Sequence, residues 1–197
     1  MTTSRAVFLD RDGTLLHEVG YLSRREDLRW YPFSVDAIRL LNRAGFHVFV
    51  ITNQGGVGLG LFSEDFVRRT HADMAEHISA AGGRVDGWLY CPHHPGAQDP
   101  ALRIDCDCRK PKPGLLKQAQ RSHGVDLAAS FVVGDKRVDM GLAEQAGARG
   151  VFVQTGHGAA ELARHGGRMP GAAYVAADVM EATSWILRAC GHPLESV

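Results

Sequence analysis

The sequence predicts an α/β fold, a parallel sheet with helices on both faces. Three observations carry that expectation. Short, wholly apolar runs alternate with longer segments whose apolar residues recur at helical spacing. The apolar runs end on polar residues, at Asp10, at Thr52-Asn53 and at Gly134-Asp135, where sheets of this kind present their ligand sites. No repeat or linker breaks the alternation, so residues 1–197 read as one domain.

The elements follow in order. Ala6-Val7-Phe8-Leu9 is a buried strand running into Asp10. Val35 to Ala44 places Val35, Ile38, Leu40 and Leu41 at helical spacing, with Arg39 and Arg43 between them, and Gly45 is the stop. His47 to Ile51 is the second strand. Ser63 caps a helix that runs to about Ala81, with Glu64 and Asp65 at its positive end and Gly82-Gly83 beyond it. Val85 to Tyr90 is the third strand. Cys91 to Pro113 is irregular and rich in Pro, Cys, His and Asp. Gly114 to His123 is a helix, Ser130 to Val133 the fourth strand, and Val138 to Ala146 a helix stopped by Gly147. Gly150 to Gln154 is the fifth strand. The Gly-rich stretch from Ala159 to Pro170 reads as a mobile loop. Ala173 to Ala176 is a weaker strand, and Val179 to Ala189 a last helix. Little sequence is left over for a large cap domain.

Composition removes several classes of function. Lys plus Arg equals Asp plus Glu at 22 each, a formal net charge of zero. The usual electrostatic reason to expect a nucleic-acid partner is therefore absent. No apolar run reaches the ~18 residues of a membrane-spanning helix. Met1 to Arg5 lead straight into a strand, with no apolar stretch and cleavage site of a signal peptide. A cytoplasmic monomer acting on a small molecule is the expectation.

The strand-end residues form a coherent chemistry. A carboxylate such as Asp10 can attack phosphorus and form an aspartyl-phosphate that water hydrolyses. A second carboxylate two residues on, Asp12, can protonate the leaving oxygen and later take a proton from water. For that it must hold a proton part of the time near neutral pH, well above the ~3.9 of a free Asp. Mg²⁺ takes few carboxylates together with phosphate oxygens, and Asp10, Asp12 (through its backbone carbonyl) and Asp135 can supply it. The Thr52 hydroxyl and the Lys110 ammonium can hold the phosphoryl oxygens. A lone Asp after a strand is usually a turn residue or a helix cap. Four such motifs in strand-end positions are a far stronger signal.

Three of the four cysteines cluster beside histidines. Cys91-Pro92-His93 and Cys106-Asp107-Cys108 are two close pairs of soft ligands, the pattern of a closed, tetrahedral, structural Zn²⁺ site. His94 is the rival to His93. This loop, at about 91–108, has few apolar residues, and metal ligation accounts for its order. Cys190 lies in a helical pattern and reads as a small apolar residue. Trp88, Tyr90 and Trp185 read as packing, and His157, His165 and His192 carry no usable ligand spacing. Arg109 suits a second anionic group, because its planar donors grip phosphate bidentately.

The run from Phe8 to Leu15, FLDRDGTL, is identified as the first motif of the haloacid dehalogenase (HAD) superfamily of phosphatases. Val50-Ile51-Thr52-Asn53-Gln54, Arg109-Lys110-Pro111 and Val133-Gly134-Asp135-Lys136 resemble its other three. The resemblance implies a Rossmann-like sheet, bound Mg²⁺, Asp10 as nucleophile and Asp12 as acid/base. It further implies that Thr52 and Lys110 hold the phosphoryl group, that Asp135 is the metal carboxylate, and that Asp139 supports it. The zinc loop, followed by Arg109-Lys110-Pro111, narrows the resemblance to the heptose-bisphosphate phosphatases. A related loop occurs in histidinol-phosphate phosphatases, and a binding module without catalysis is the alternative of another class. The narrower resemblance implies a phosphorylated-sugar substrate touched by Glu18, Val19, Gly20, Tyr21 and Arg109, with Arg11, Asn53, Gln54, Gly55 and Lys136 as further contacts. At residue 55 the family commonly has Ser or a similar residue, and here Gly55 leaves only backbone N–H groups to offer.

Overall fold

The computed structural model describes residues 4–192, so the ends of the expected 1–197 domain, residues 1–3 and 193–197, lie outside the described residues. Six parallel strands form one sheet: β1 (Ala6–Asp10), β2 (His47–Asn53), β3 (Gly87–Cys91), β4 (Phe131–Gly134), β5 (Arg149–Val153) and β6 (Ala172–Ala176). Their order is β3-β2-β1-β4-β5-β6. The strand order therefore reverses direction between β1 and β4, which opens a crevice at the carboxyl ends of those two strands.

Side chains alternate across the sheet with the period of two that strands impose. Val7, Leu9, Val48 and Val50 face helices α1 (Ser34–Arg43) and α7 (Val179–Ala189) through Ala37, Ile38, Leu41, Ala182 and Ile186. Ala6, Phe8, Phe49 and Ile51 face the opposite layer, α4 (Gly114–His123) and α5 (Arg137–Ala146), through Leu115, Leu116, Leu142 and Ala143. The core is thus two apolar layers with the sheet between them.

Between β2 and β3 lie the single turn α2 (Gly55–Gly58) and the long helix α3 (Glu64–Ala80). The cap of α3 is the expected one, with Ser63 accepting from the Phe66 N–H at 3.1 Å. Chain length between β1 and α1 is spent on a small excursion, residues 11–33, that folds back on itself. His17 donates to Arg29 O, Tyr31 N to Leu15 O, and the Ser34 hydroxyl to Leu15 O, all within 3.0 Å. Leu16 and Leu22 pack there against Met74 of α3.

One expectation is overturned. The stretch read as a mobile loop from Ala159 contains α6 (Gly158–Arg164). Its glycines cluster at the flanks, while Ala159-Ala160-Glu161-Leu162-Ala163-Arg164 are all good helix formers. Among the described residues no helix is long and apolar enough to cross a membrane.

Candidate active site

The reversal point gathers the strand-end residues into one small cleft lined by Asp10, Asp12, Thr52, Asn53, Lys110, Lys136 and Val138. Lys110 lies at its centre although it belongs to no strand. The Lys110 N–H donates to Asn53 Oδ1 at 3.0 Å, and Asn53 Nδ2 donates back to Lys110 O at 3.2 Å. That reciprocal pair fastens the loop to the end of β2. The Lys110–Pro111 peptide is cis. Lys110 Nζ then stands 2.7 Å from Asp10 Oδ1 and 2.7 Å from Asp139 Oδ1, all of them buried.

Asp10, Asp135 and Asp139 bring one carboxylate oxygen each within 4.8 Å of one another. Three carboxylates around one ammonium leave an excess of negative charge in a buried place. Burial pushes Asp10 up to about 6, with the Asp139 and Asp12 charges adding and Lys110 opposing. Burial, then the Asp10 charge, pushes Asp135 up to about 8. Asp135 Oδ2 accepts from the His157 N–H at 2.8 Å, whereas its buried Oδ1 has no hydrogen-bond partner among the described residues. An unpaired carboxylate oxygen beside two further carboxylates is what a hard divalent cation fits. Gly13 permits this geometry: its φ is +88°, and a Cβ there would stand 2.2 Å from Asp135 Oδ2.

Asp12 sits opposite. Burial pushes its carboxyl up, but the Arg11 charge and hydrogen bonds from Arg11 and Gln54 outweigh burial and hold it below the usual range. Arg11 Nη2 lies 2.9 Å from Asp12 Oδ2, and Arg11 Nε donates to both oxygens at 3.1 Å. Gln54 Nε2 donates to Asp12 Oδ2 at 3.0 Å and to Thr52 Oγ1 at 2.8 Å.

The second cluster joins Cys91, His93, Cys106 and Cys108. Cys91 Sγ is 3.5 Å from Cys106 Sγ and 3.5 Å from His93 Nδ1, and Cys108 Sγ is 3.3 Å from both Cys106 Sγ and His93 Nδ1. A tetrahedron with ~2.3 Å metal–sulfur arms has edges of about 3.8 Å, so the donors stand close to that arrangement. Burial, then Cys106 and Cys91, push the Cys108 thiol above its ordinary range, a penalty that a bound cation removes.

Comparison with known proteins agrees with this geometry. Residues 107–182 match the family model described as HAD-hydrolase-like. The D-glycero-beta-D-manno-heptose-1,7-bisphosphate 7-phosphatase of Rhodopseudomonas palustris is 45% identical over 145 residues, 74% of this chain and 81% of that protein. The D-glycero-D-manno-heptose-1,7-bisphosphate 7-phosphatase of Thermosynechococcus vestitus is 38% identical over 194 residues, 95% of this chain and 96% of that protein. This chain belongs to the heptose-bisphosphate phosphatase family of HAD-like hydrolases. Among solved structures, the D,D-heptose 1,7-bisphosphate phosphatase of B. bronchiseptica, complexed with magnesium and phosphate, has a TM-score of 0.83 at 33% identity, covering 94% of this chain and 99% of that one.

Within that family frame, the residues singled out from the sequence fall into three groups. Asp10, Asp12, Thr52, Asn53, Lys110 and Lys136 line the cleft. Gln54 bonds Asp12 and Thr52, and Asp135 is buried with a carboxylate oxygen within 4.8 Å of one of Asp10. Arg11, Glu18, Val19, Gly20, Tyr21 and Arg109 do not line the cleft. Arg11 is 1% exposed with its side chain turned inward, although its backbone N–H donates to Asp10 Oδ1 at 2.8 Å. Glu18 is spent on the protein: Oε2 is 2.7 Å from Lys136 Nζ and 3.4 Å from His157 Nε2, and Oε1 accepts from Gly20 N at 2.7 Å. Val19 and Tyr21 are 44% and 48% exposed. Arg109 Nη1 donates to His93 O at 2.9 Å. Gly55 lies against that same arginine, since a Cβ there would stand 3.3 Å from Arg109 Nη1 and 2.9 Å from His94 Cδ2. A side chain at 55 would press on one of them, so the loop would have to shift to take it. His94 caps its own turn, accepting from Gly96 N at 3.0 Å, outside the cysteine cluster.

The sequence reading missed three polar contributors. Thr155 Oγ1 donates to Gly13 O at 2.6 Å. The His157 N–H holds Asp135, and His71 meets Arg11 Nη1 at 3.3 Å. The strand-end rule applied to β5 would have found the first two. Nothing in local spacing marks His71.

Proposed function

We propose that this protein is a Mg²⁺-dependent phosphatase that removes the 7-phosphate of D-glycero-D-manno-heptose 1,7-bisphosphate through an aspartyl-phosphate on Asp10. The observation that carries the reading is Lys110 Nζ, held 2.7 Å from Asp10 Oδ1 on the floor of the cleft. An ammonium there keeps Asp10 ionised as a nucleophile and neutralises charge on the phosphoryl oxygens. Asp10, Asp12 through its backbone oxygen, and Asp135 would hold Mg²⁺, with Asp139 in support. Mg²⁺ would neutralise the phosphate and align it for in-line displacement.

The protein's own groups divide the remaining work. An oxygen of Asp10 bonds to phosphorus while the bond to the sugar oxygen breaks, and Asp12 gives that oxygen its proton. Asp12 then takes a proton from water as the water oxygen attacks phosphorus, which releases phosphate and restores both carboxyls. In the free protein Arg11 holds Asp12 ionised. The arriving phosphate dianion acts in the opposite sense, raising its proton affinity. Thr52 and Asn53 with Lys110 and Lys136 surround the phosphoryl oxygens, and Gln54 fixes Thr52 against Asp12. Val19, Gly20, Tyr21, Gly55 and Arg109 would frame the sugar side, while Arg11 and Glu18 act on it only through the protein groups they hold.

In the same reading Zn²⁺ fills the Cys91, His93, Cys106 and Cys108 cluster as a structural ion. The working form is a monomer in the cytoplasm.

The test is phosphate release with Mg²⁺ from both anomers of the heptose bisphosphate, histidinol phosphate and a 3′-phosphorylated oligonucleotide. A heptose bisphosphate is expected to lead by ~100-fold in kcat/KM, roughly 2.7 kcal/mol of differential transition-state binding. Asp10→Asn is expected to fold and to lose turnover. A histidinol-favouring or flat profile withdraws the sugar assignment, and no release above the blank favours a binding module.

A further inference from the structure

A fully buried arginine beside a catalytic carboxylate is expensive to desolvate and needs a reason. The Arg11 guanidinium has no acceptor atom, so every one of its hydrogen bonds is a donation. Nε and Nη2 point at Asp12, and Nη1 points the other way, at His71 Nε2, 3.3 Å distant. His71 lies on α3 and is itself buried. Its ring stacks on Trp88 with centroids 5.1 Å apart and meets the Tyr90 ring edge-on at 5.7 Å. Burial, then the Arg11 charge, push His71 down to about 3. The imidazole is therefore neutral, accepting at Nε2 and carrying its proton on Nδ1.

The choice of acceptor matters. A carboxylate at this place would share the guanidinium charge with Asp12 and weaken its hold. A neutral imidazole satisfies the remaining donor and leaves the charge directed at Asp12. The aromatic walls of Trp88 and Tyr90 keep the ring from turning away.

We infer that His71 is a positioning residue: it orients the Arg11 guanidinium, and through Arg11 the Asp12 carboxyl, for proton transfer at the leaving oxygen. This rests on the proposed acid/base role of Asp12. His71 touches neither substrate nor metal, so its effect belongs on the chemical step rather than on binding.

The experiment compares four variants, His71→Phe, His71→Asn, His71→Gln and Asp12→Asn, on the heptose bisphosphate with Mg²⁺, reading kcat, KM and Tm for each. Phe keeps the ring stack and removes the acceptor. Asn offers a carbonyl that stops short of the Nε2 position, and Gln reaches it. In Phe and Asn, kcat is expected to fall about tenfold or more while KM stays within about twofold, the usual cost of losing an outer-shell partner. Gln is expected to recover kcat to within about threefold of the parent. Should the Phe variant fail to fold, the Asn and Gln pair carries the comparison alone. A folded Phe or Asn variant with parental kcat overturns the inference, as does a folded Gln variant no better than Asn. Asp12→Asn is expected to be inactive. Normal turnover there sinks the acid/base reading itself, whereas an inactive Asp12→Asn beside an unaffected His71 series sinks the inference alone.

Discussion

Glu18 is the residue at which the family resemblance and the geometry diverge. The resemblance implies a sugar contact, yet both of its oxygens are taken by Gly20 N, Lys136 Nζ and His157 Nε2. Lys136 is a compact charge on a flexible stem, and it lines the phosphoryl cleft. One carboxylate thus ties the excursion after β1 to the ends of β4 and β5 and stops Lys136 from wandering. The Lys136 side chain is 35% exposed, so solvent screens the pair and the effect is modest. Glu18→Gln is expected to lower kcat/KM about threefold to tenfold, and, with Lys136→Met, to show a non-additive double-mutant cycle. A loss of about 100-fold or more with additive behaviour would assign Glu18 to the sugar instead. Sequence reading reached Asp10, Asp12, Thr52, Lys110 and Asp135 because strand ends announce themselves. It could not tell which way a side chain points once β1 ends at Asp10 and the alternation stops. Arg11 therefore read as a ligand contact, and its inward turn appears only with its partner His71, sixty residues away in the chain.

At the scale of elements, the cysteine loop does more than hold itself together. Cys91 is the last residue of β3, in register with Asn53 of β2, so one ligand is fixed to the sheet. Cys106 and Cys108 lead directly into Arg109 and Lys110, and Arg109 is bonded to His93 O. A metal bound in this cluster would therefore help the Asn53 pair to set the position of Lys110 beside Asp10. Cys106→Ser is expected to lose the metal, to lower Tm by several degrees and to reduce kcat/KM by about tenfold or more, beyond what the stability loss explains. Metal content by mass spectrometry, Tm and kinetics on one preparation check it. Zinc-free protein with parental Tm and kcat/KM would remove the structural role. Element boundaries were legible wherever apolar periodicity is strong, as in α4 and α7. They shifted at β3, an edge strand whose pairing with β2 begins only at Gly87 against Phe49. The turn α2 was hidden because Gly-Gly-Val-Gly has no helical propensity. Tertiary contact holds it, with Gly58 N donating to Pro92 O at 3.1 Å.

For the molecule as a whole, a net charge of zero conceals a local conflict that links stability to metal binding. The reversal of strand order between β1 and β4 forces Asp10 and Asp135 together under cover. Their carboxyls are raised, to about 6 and about 8, chiefly by burial. In the unfolded chain both lose their protons near ~4. Between pH 4 and pH 8 the unfolded state therefore binds fewer protons than the metal-free folded state. Stability of the metal-free protein falls as pH rises through that window, and levels off above it. Mg²⁺ requires the ionised forms, so its apparent affinity rises across the same window, by up to about tenfold per pH unit for each proton displaced. The Tm gain from a fixed Mg²⁺ concentration is accordingly expected to be small at pH 6 and larger at pH 8. Asp135→Asn should remove most of that gain, and without Mg²⁺ at pH 8 it should melt a few degrees above the parent, because it no longer buries an unpaired charge. Thermal melts of both proteins at pH 6, 7 and 8, with and without Mg²⁺, give all four comparisons. A Mg²⁺ shift that is flat or shrinks with rising pH would show that protons do not compete with the ion at these carboxylates. An Asp135→Asn protein less stable than the metal-free parent at pH 8 would show that the buried carboxylate stabilises the fold on its own, and that the site is not kept at the expense of stability.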